Sequence, residues 1–217
     1  MKLLKRFGLL CSSLLLTACA INSPAPDMTA LKKSDPKSIL ILPPVNKTVE
    51  VEAEDSIYSA SFIPVADAGY YPIPVVLTKE IFKTNGLTEP EDIKNVPLAK
   101  LREVFEADAV LYLTVTDFGS QYQIVQSHTQ VSVVGTLVDA KTGEQLWVGV
   151  GIAEKTSGGS GIGALIGAVV AQAINSATNL SHELAVQAAA QMVNPLRLDK
   201  KGLLFGPRSP HYRKDGQ

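Results

Sequence analysis

Twenty basic residues against 21 acidic ones leave a chain of 217 residues with a net charge of −1, and without residues 1–18, which hold three basic and no acidic residues, the balance becomes −4. Such a balance excludes nucleic acid as a partner, because phosphates demand dense Lys and Arg. The only cysteines are Cys11 and Cys19, so a body beginning after them can form neither a disulfide nor a thiolate metal site and must be stabilised by packing.

The chain opens with Lys2, Lys5 and Arg6, then an apolar run over residues 7–16, then small residues leading to a cysteine in Leu16-Thr17-Ala18-Cys19. This is the layout of a secretory signal. The apolar run of about ten residues is half of what a membrane span requires. The final four residues resemble a bacterial lipobox, in which the cysteine receives diacylglycerol and becomes the new N-terminus; Cys19 is therefore the expected lipidation site, and residues 1–18 the signal peptide. By analogy with lipoprotein sorting, Ala20 in place of an aspartate points to the outer membrane, with the domain in the periplasm.

Residues 19–37 read as a lipidated flexible tether, since they are rich in Ser, Pro, Asp and Lys and lack apolar periodicity. The α/β domain is expected over residues 38–197. Its first strand is the apolar run Ile39, Leu40, Ile41, Leu42, stopped by Pro43 and Pro44 and suited to burial on both faces. Residues 46–55 read as loop and residues 56–68 as a helix broken or entered at Pro64. The prolines at 72 and 74 make residues 69–75 a short edge strand. Leu77, Ile81 and Phe82 share a helical face that ends at Asn85-Gly86, Thr88 and Glu91 have capping-box spacing, and Leu98, Leu101 and Phe105 mark a third amphipathic helix.

The period then changes to two. Ala109, Leu111, Leu113 and Val115 alternate with Val110, Tyr112, Thr114 and Thr116, as in a strand. Three antiparallel strands are expected, over residues 108–117, 121–138 and 144–154, the last two joined by a turn at residues 139–143 in which Gly143 supplies positive φ. On the third, Leu146, Val148, Val150 and Ile152 form one face and Trp147, Gly149, Gly151 and Ala153 the other. A glycine-rich and then apolar stretch follows, then a helix over residues 182–193 capped by Ser181 and packing through Leu184, Val186, Ala189 and Met192. Residues 198–217 read as a basic polar tail, a solvated end that anionic lipid or murein could attract.

Glycines after a strand and before a helix, at residues 158–163, imitate a dinucleotide fingerprint, but no further βα units follow to complete that fold. Gly159, Gly163, Gly167 and Ala171 instead recur every four residues and line one side of a helix, either packing on its own sheet or meeting another subunit. His128, His182 and His211 lack ligand spacing, Ser160 lacks the glycine pattern of a nucleophile elbow, and Asp108 and Asp117 stand at opposite ends of a strand. We expect no catalytic residue, metal or cofactor, and no enzyme. The cluster Tyr58, Phe62, Tyr70 and Tyr71 is the candidate interaction surface, its alternative being to cap the core.

Several segments together resemble a family of uncharacterised bacterial lipoproteins found beside relatives of the curli-secretion channel lipoprotein. They are the lipobox, residues 39–46 (Ile-Leu-Ile-Leu-Pro-Pro-Val-Asn), Ala68-Gly69-Tyr70-Tyr71, Asn85-Gly86-Leu87, residues 107–112, residues 138–143 and Gly206-Pro207-Arg208-Ser209-Pro210. The resemblance implies a single α/β domain with a mixed, largely antiparallel sheet covered by helices, similar to the TolB amino-terminal domain. It implies no catalytic residues. The expected function is that of a non-enzymatic adaptor or assembly factor of the cell envelope, with a membrane held through the lipid and an envelope protein as partner; the alternative is a subunit of a homo-oligomeric complex or secretion channel related to the curli export lipoprotein.

If Cys19 is the acyl acceptor, Cys19→Ala should abolish incorporation of a fatty-acid probe and leave the signal uncut. Equal labelling of wild type and variant would refute the lipobox.

Overall fold

The computed structural model describes residues 26–122, 127–157 and 169–214. Its elements are helix α1 (Thr29–Ser34), strands β1 (Ser38–Ile41) and β2 (Val45–Asn46), helix α2 (Ala53–Asp67), strand β3 (Tyr71–Pro72), helices α3 (Val75–Thr84), α4 (Pro90–Lys94) and α5 (Leu98–Phe105), strands β4 (Ala109–Tyr122), β5 (Ser127–Asp139) and β6 (Gln145–Ser157), and helix α6 (Val169–Val193). The sheet runs β3-β1-β4-β5-β6, with β2 also on β4. β1 is parallel to β3 and β4, β2 is parallel to β4, and β4, β5 and β6 are antiparallel. The sheet is thus mixed, and the α/β domain expected from the sequence is the one observed.

β1 is apolar because both of its faces are covered. Ile39 and Ile41 join Ala109, Leu111 and Val133 under α2 and α6, whereas Leu40 and Leu42 join Val110, Phe82, Ile93 and Leu101 under α3, α4 and α5. Pro43 and Pro44, which have no N–H to donate, separate β1 from β2, and the ladder to β4 resumes where the Lys47 N–H donates to the Val115 carbonyl at 3.0 Å. The turn after β5 forms as expected. Asp139 Oδ1 accepts from the backbone N–H groups of Lys141 and Thr142, and Gly143 has φ 74°.

Local patterns misplaced several boundaries. α2 begins at Ala53 and continues through Pro64, which lies in its last turn, where only one backbone bond is forgone. The expected edge strand shrinks to Tyr71–Pro72, and Val75 already belongs to α3. On α3 it is Thr78 and Phe82, one turn apart, that are buried, while Leu77 is half exposed. The capping box does not form: Pro90 fixes the first position of α4 after Glu89, and Glu91 pairs with Lys47 instead. β4 continues to Tyr122 and β5 begins at Ser127, with residues 123–126 outside the described residues. α6 is one helix from Val169 to Val193, so Ser181 is a buried residue within it and not a cap; Leu184, Ala189 and Met192 pack inward, but Val186 is 45% exposed.

Neither end of the described chain is a free segment. α1, within the expected tether, buries Leu31, and Ser34 Oγ donates to Asp139 Oδ2 at 2.5 Å. The expected tail buries Leu203 and Phe205, which a solvated end would not do. It is threaded back by the Leu203 N–H to the Val193 carbonyl and the Gly206 N–H to the Ala68 carbonyl, 3.0 and 2.8 Å. Tyr70 Oη donates to the Leu204 carbonyl at 2.9 Å, and Tyr58 Oη to the Ile41 carbonyl at 3.2 Å.

α6 approaches the sheet to backbone contact. A Cβ placed at Gly151 would lie 1.9 Å from the Ala188 carbonyl oxygen, and one at Gly135 would lie 2.8 Å from Met192 Sδ. Gly149 serves a different neighbour, the Trp147 ring, whose Cζ2 would be 2.0 Å from an added Cβ.

Two outcomes follow from this packing. Gly151→Ala should lower stability by roughly 1–3 kcal/mol through overpacking, more than Val148→Ala on the exposed side of the same strand, as read from urea midpoints at unchanged m. Burial pushes the phenols of Tyr58 and Tyr70 above the ordinary tyrosine value. The unfolded chain therefore loses these protons first, so the stability they contribute is complete below about pH 10 and falls as pH rises beyond it. Tyr70→Phe should cost about 1 kcal/mol near pH 8 for the lost hydrogen bond, and the gap to wild type should narrow above pH 10; a constant gap would refute the assignment.

Candidate interaction surfaces

The two long helices leave a groove between them. On α2, Ser59, Ile63 and Asp67 follow at four-residue spacing; on α6, His182, Val186 and Ala190 do the same, with Asn194 just past the helix end, so each helix contributes one lengthwise stripe. Ala60, Pro64 and Phe205 floor the space, and Pro195 and Leu196 close one end, giving a cavity of about 800 Å³. Its walls are apolar yet open to solvent: Ile63 is 61% exposed, Val186 45% and Leu196 70%. Polar groups stand at the margin.

A second apolar area lies on the sheet face that α3, α4 and α5 leave uncovered beyond Tyr112. There Val148, Val150 and Ile152 of β6 are 42–47% exposed and neighbour the half-buried Val134 of β5. Leu146, expected on this face, is instead buried with Trp147 in the core beneath α2 and α6, at the point where the β5–β6 register shifts. β6 is the sheet edge, and its outward backbone groups are in part taken. Gln191 Oε1 accepts from the Ile152 N–H at 2.6 Å, and Arg197 Nη1 donates to the Val150 carbonyl at 2.7 Å. Asp199 holds that guanidinium in turn, at 2.6 Å. Side chains here blunt an edge that would otherwise template another strand.

The aromatic cluster expected to face a partner is divided. Tyr58 and Tyr70 are core residues, 3% and 4% exposed, Phe62 is half-buried, and only Tyr71 is exposed, with the Arg208 guanidinium 4.7 Å above its ring. Their hydroxyls reach backbone carbonyls, so the phenols cap the core and do not present a common surface. Ala171 lies in the first turn of α6, and Gly159, Gly163 and Gly167 lie outside the described residues, as do Cys19 and Ser160. The contact that brings α6 onto its sheet uses Ala188 and Met192 against Gly151 and Gly135.

The titratable groups are dispersed. His128 Nε2 is 3.2 Å from Gln130 Oε1 and 3.8 Å from Glu154, His182 stands on the groove margin, and His211 packs 5.1 Å from the Phe205 ring. Asp108 Oδ2 accepts from the backbone N–H groups of Lys37 and Ser38, joining the start of β1 to the start of β4. Among the described residues no group of three or more His, Cys, Asp or Glu could hold a metal ion, and no helix is long and apolar enough to cross a membrane. Nothing local in the sequence marks the groove, because Ile63 and Val186 have the spacing of ordinary core positions.

Comparison with known proteins agrees with this architecture. A protein from Neisseria meningitidis serogroup B (strain ATCC BAA-335 / MC58), named "Putative lipoprotein NMB1124/NMB1162", is 39% identical over 203 residues, covering 92% of this chain and 94% of its own. The crystal structure of lipoprotein GNA1162 from Neisseria meningitidis superposes with a TM-score of 0.54 at 38% identity, over 66% of this chain and 99% of that one. The family model described as "Putative lipoprotein GNA1162-like" matches residues 26–208, which takes in every described element and most of the C-terminal segment. The chain belongs to the GNA1162-like lipoprotein family.

Proposed function

We propose that this protein is a lipid-anchored outer-membrane lipoprotein whose domain faces the periplasm and acts as a non-enzymatic adaptor or assembly factor, holding an apolar segment of an envelope partner in the groove between α2 and α6. The lipobox at Cys19 and the Ala20 that follows it support the anchor and its destination, and family membership supports a lipoprotein. The observation that carries the adaptor role is the groove itself. Its size lies within the range of about 300–1,000 Å³ typical of binding clefts, and it exposes Ile63, Val186 and Leu196 where a monomer with no partner gains nothing by doing so. What it offers is apolar contact area on rigid helices, which suits binding.

A second reading, a subunit of an oligomeric envelope complex, is favoured by the apolar stripe Val148, Val150 and Ile152. A single experiment separates the two. A photoreactive residue placed at Ile63 or Val186 in intact cells should give one discrete adduct with a different protein, while the same group at the exposed Lys83 should give none. Adducts of twice the chain's own mass would favour the oligomer, and no adduct at either groove position, or equal adducts at Lys83, would overturn the docking role.

A further inference from the structure

The fold brings basic side chains from both ends of the described chain onto one surface. α1 exposes Lys32 and Lys33, and Lys37 follows it. The C-terminal segment returns to the same place, because Tyr212 Oη donates to Asp35 at 2.6 Å and Arg213 Nη2 lies 2.9 Å from Asp35 Oδ2. Asp35 can receive both because it caps α1 in the left-handed region, φ 47°. Lys32 and Arg213 line one small cavity there. Arg208 stacks on Tyr71, whose N–H donates to the Lys37 carbonyl at 2.9 Å, so Arg208 and Lys37 meet at the first residue of β3. Residues 26–37 and 207–214 together hold six Lys or Arg against two aspartates, Asp27 and Asp35, and Asp35 is already paired. Asp108 and Asp139 border this surface, where they accept from the Lys37 and Ser38 N–H groups and from Ser34 Oγ, and six basic side chains still outnumber the four carboxylates while the body as a whole is acidic.

The place of the anchor gives this excess its meaning. Seven residue steps separate Cys19 from Pro26, the first described residue, and seven steps span at most about 25 Å. A chain lipidated at Cys19 thus keeps Pro26, which leads into α1, within about 25 Å of the bilayer. We infer that Lys32, Lys33, Lys37, Arg208 and Lys214 form a membrane-facing surface that lies on anionic phospholipid headgroups and sets the orientation of the domain; this rests on the lipid-anchor reading. Lipid and basic residues then act as the two signals that hold a peripheral domain in one pose, the acyl chains by burial and the charges over a Debye length of about 8 Å.

The test uses the mature lipidated chain in vesicles of phosphatidylcholine alone or with phosphatidylglycerol, and a membrane-impermeant amine reagent read residue by residue. Lys32 and Lys33 should be labelled roughly fivefold more slowly in the anionic vesicles, the charge attraction being the cause, and the difference should vanish at high salt. Lys83 and Lys94, on the helices covering the opposite sheet face, should not change. Lys33→Glu with Arg208→Glu and Lys214→Glu should bring Lys32 back to its rate in neutral vesicles. Equal rates in both vesicles, or protection that survives high salt, would overturn the inference. If the anchor reading is at fault, the chain will lack the mass of diacylglycerol and float with neither vesicle, a result distinct from a floating chain labelled alike in both.

Discussion

The Ala188 carbonyl of α6 occupies the space that a side chain at residue 151 would fill, and the rest of the architecture follows from that contact. Because Gly135 and Gly151 let the helix settle onto β5 and β6, Ala185, Ala188, Ala189 and Met192 become fully buried. The opposite stripe of the same helix is thereby turned toward α2, and this makes the groove. At that depth Gln191 can reach the Ile152 N–H, so the seating of the helix also protects the sheet edge. The end of α6 then lies where the Val193 carbonyl can receive the Leu203 N–H and start the C-terminal segment on its return. A methyl group at residue 151 would disturb the core, the edge and the groove together.

Two separate cores meet across one sheet, and the divided burial of β1 is what joins them. Ile39 and Ile41 belong to the core beneath α2 and α6, Leu40 and Leu42 to the one beneath α3, α4 and α5. The second core is smaller and ends near Tyr112, which is why β5 and β6 keep Val134, Val148, Val150 and Ile152 partly in water. An antiparallel sheet tolerates one solvated face, but solvated faces are normally polar, and three consecutive apolar side chains there are an invitation to cover them. The side chains of Gln191 and Arg197 restrict how this can happen: they obstruct strand addition at the edge and leave the face itself open.

What the sequence made legible was whatever depends on near neighbours. The alternation over Ala109, Leu111, Leu113 and Val115, the doubly buried run at β1 and the turn at Gly143 are each specified within a few residues, and the structure reproduces them. The missed features depend on contacts across the molecule. α1 has one buried apolar residue, Leu31, and no periodicity to announce it, so only its docking makes it a helix. Ser181 has the chemistry of a cap but sits in a helix whose neighbours prefer it buried. The tyrosines at 58 and 70 could by sequence either present a surface or cap the core, and the acceptors that decide for the core, the carbonyls of Ile41 and Leu204, lie 17 and 134 residues away in the chain. Of the candidate sites, the signal and Cys19 were readable as a motif, whereas the groove requires knowing how two helices lie side by side.

The C-terminal segment shows how a polar composition can still be structural. Gly206 passes so close to Gly69 that a Cβ at 206 would be 2.6 Å from the Gly69 carbonyl oxygen, and the Arg208 N–H donates to that same oxygen at 2.9 Å. The pairing fixes the segment against the start of β3 before Tyr212 and Arg213 reach Asp35. Phe205 immediately precedes the first of these fastenings and lines both the α2–α6 groove and the small cavity bounded by Lys32 and Arg213. The basic surface and the groove therefore share a wall, and any displacement of the segment that moves Phe205 is felt in both. If the basic surface lies on the membrane and the groove holds a partner, as proposed above, one aromatic ring connects the two, and the contiguity a membrane-oriented docking site requires is supplied by Phe205.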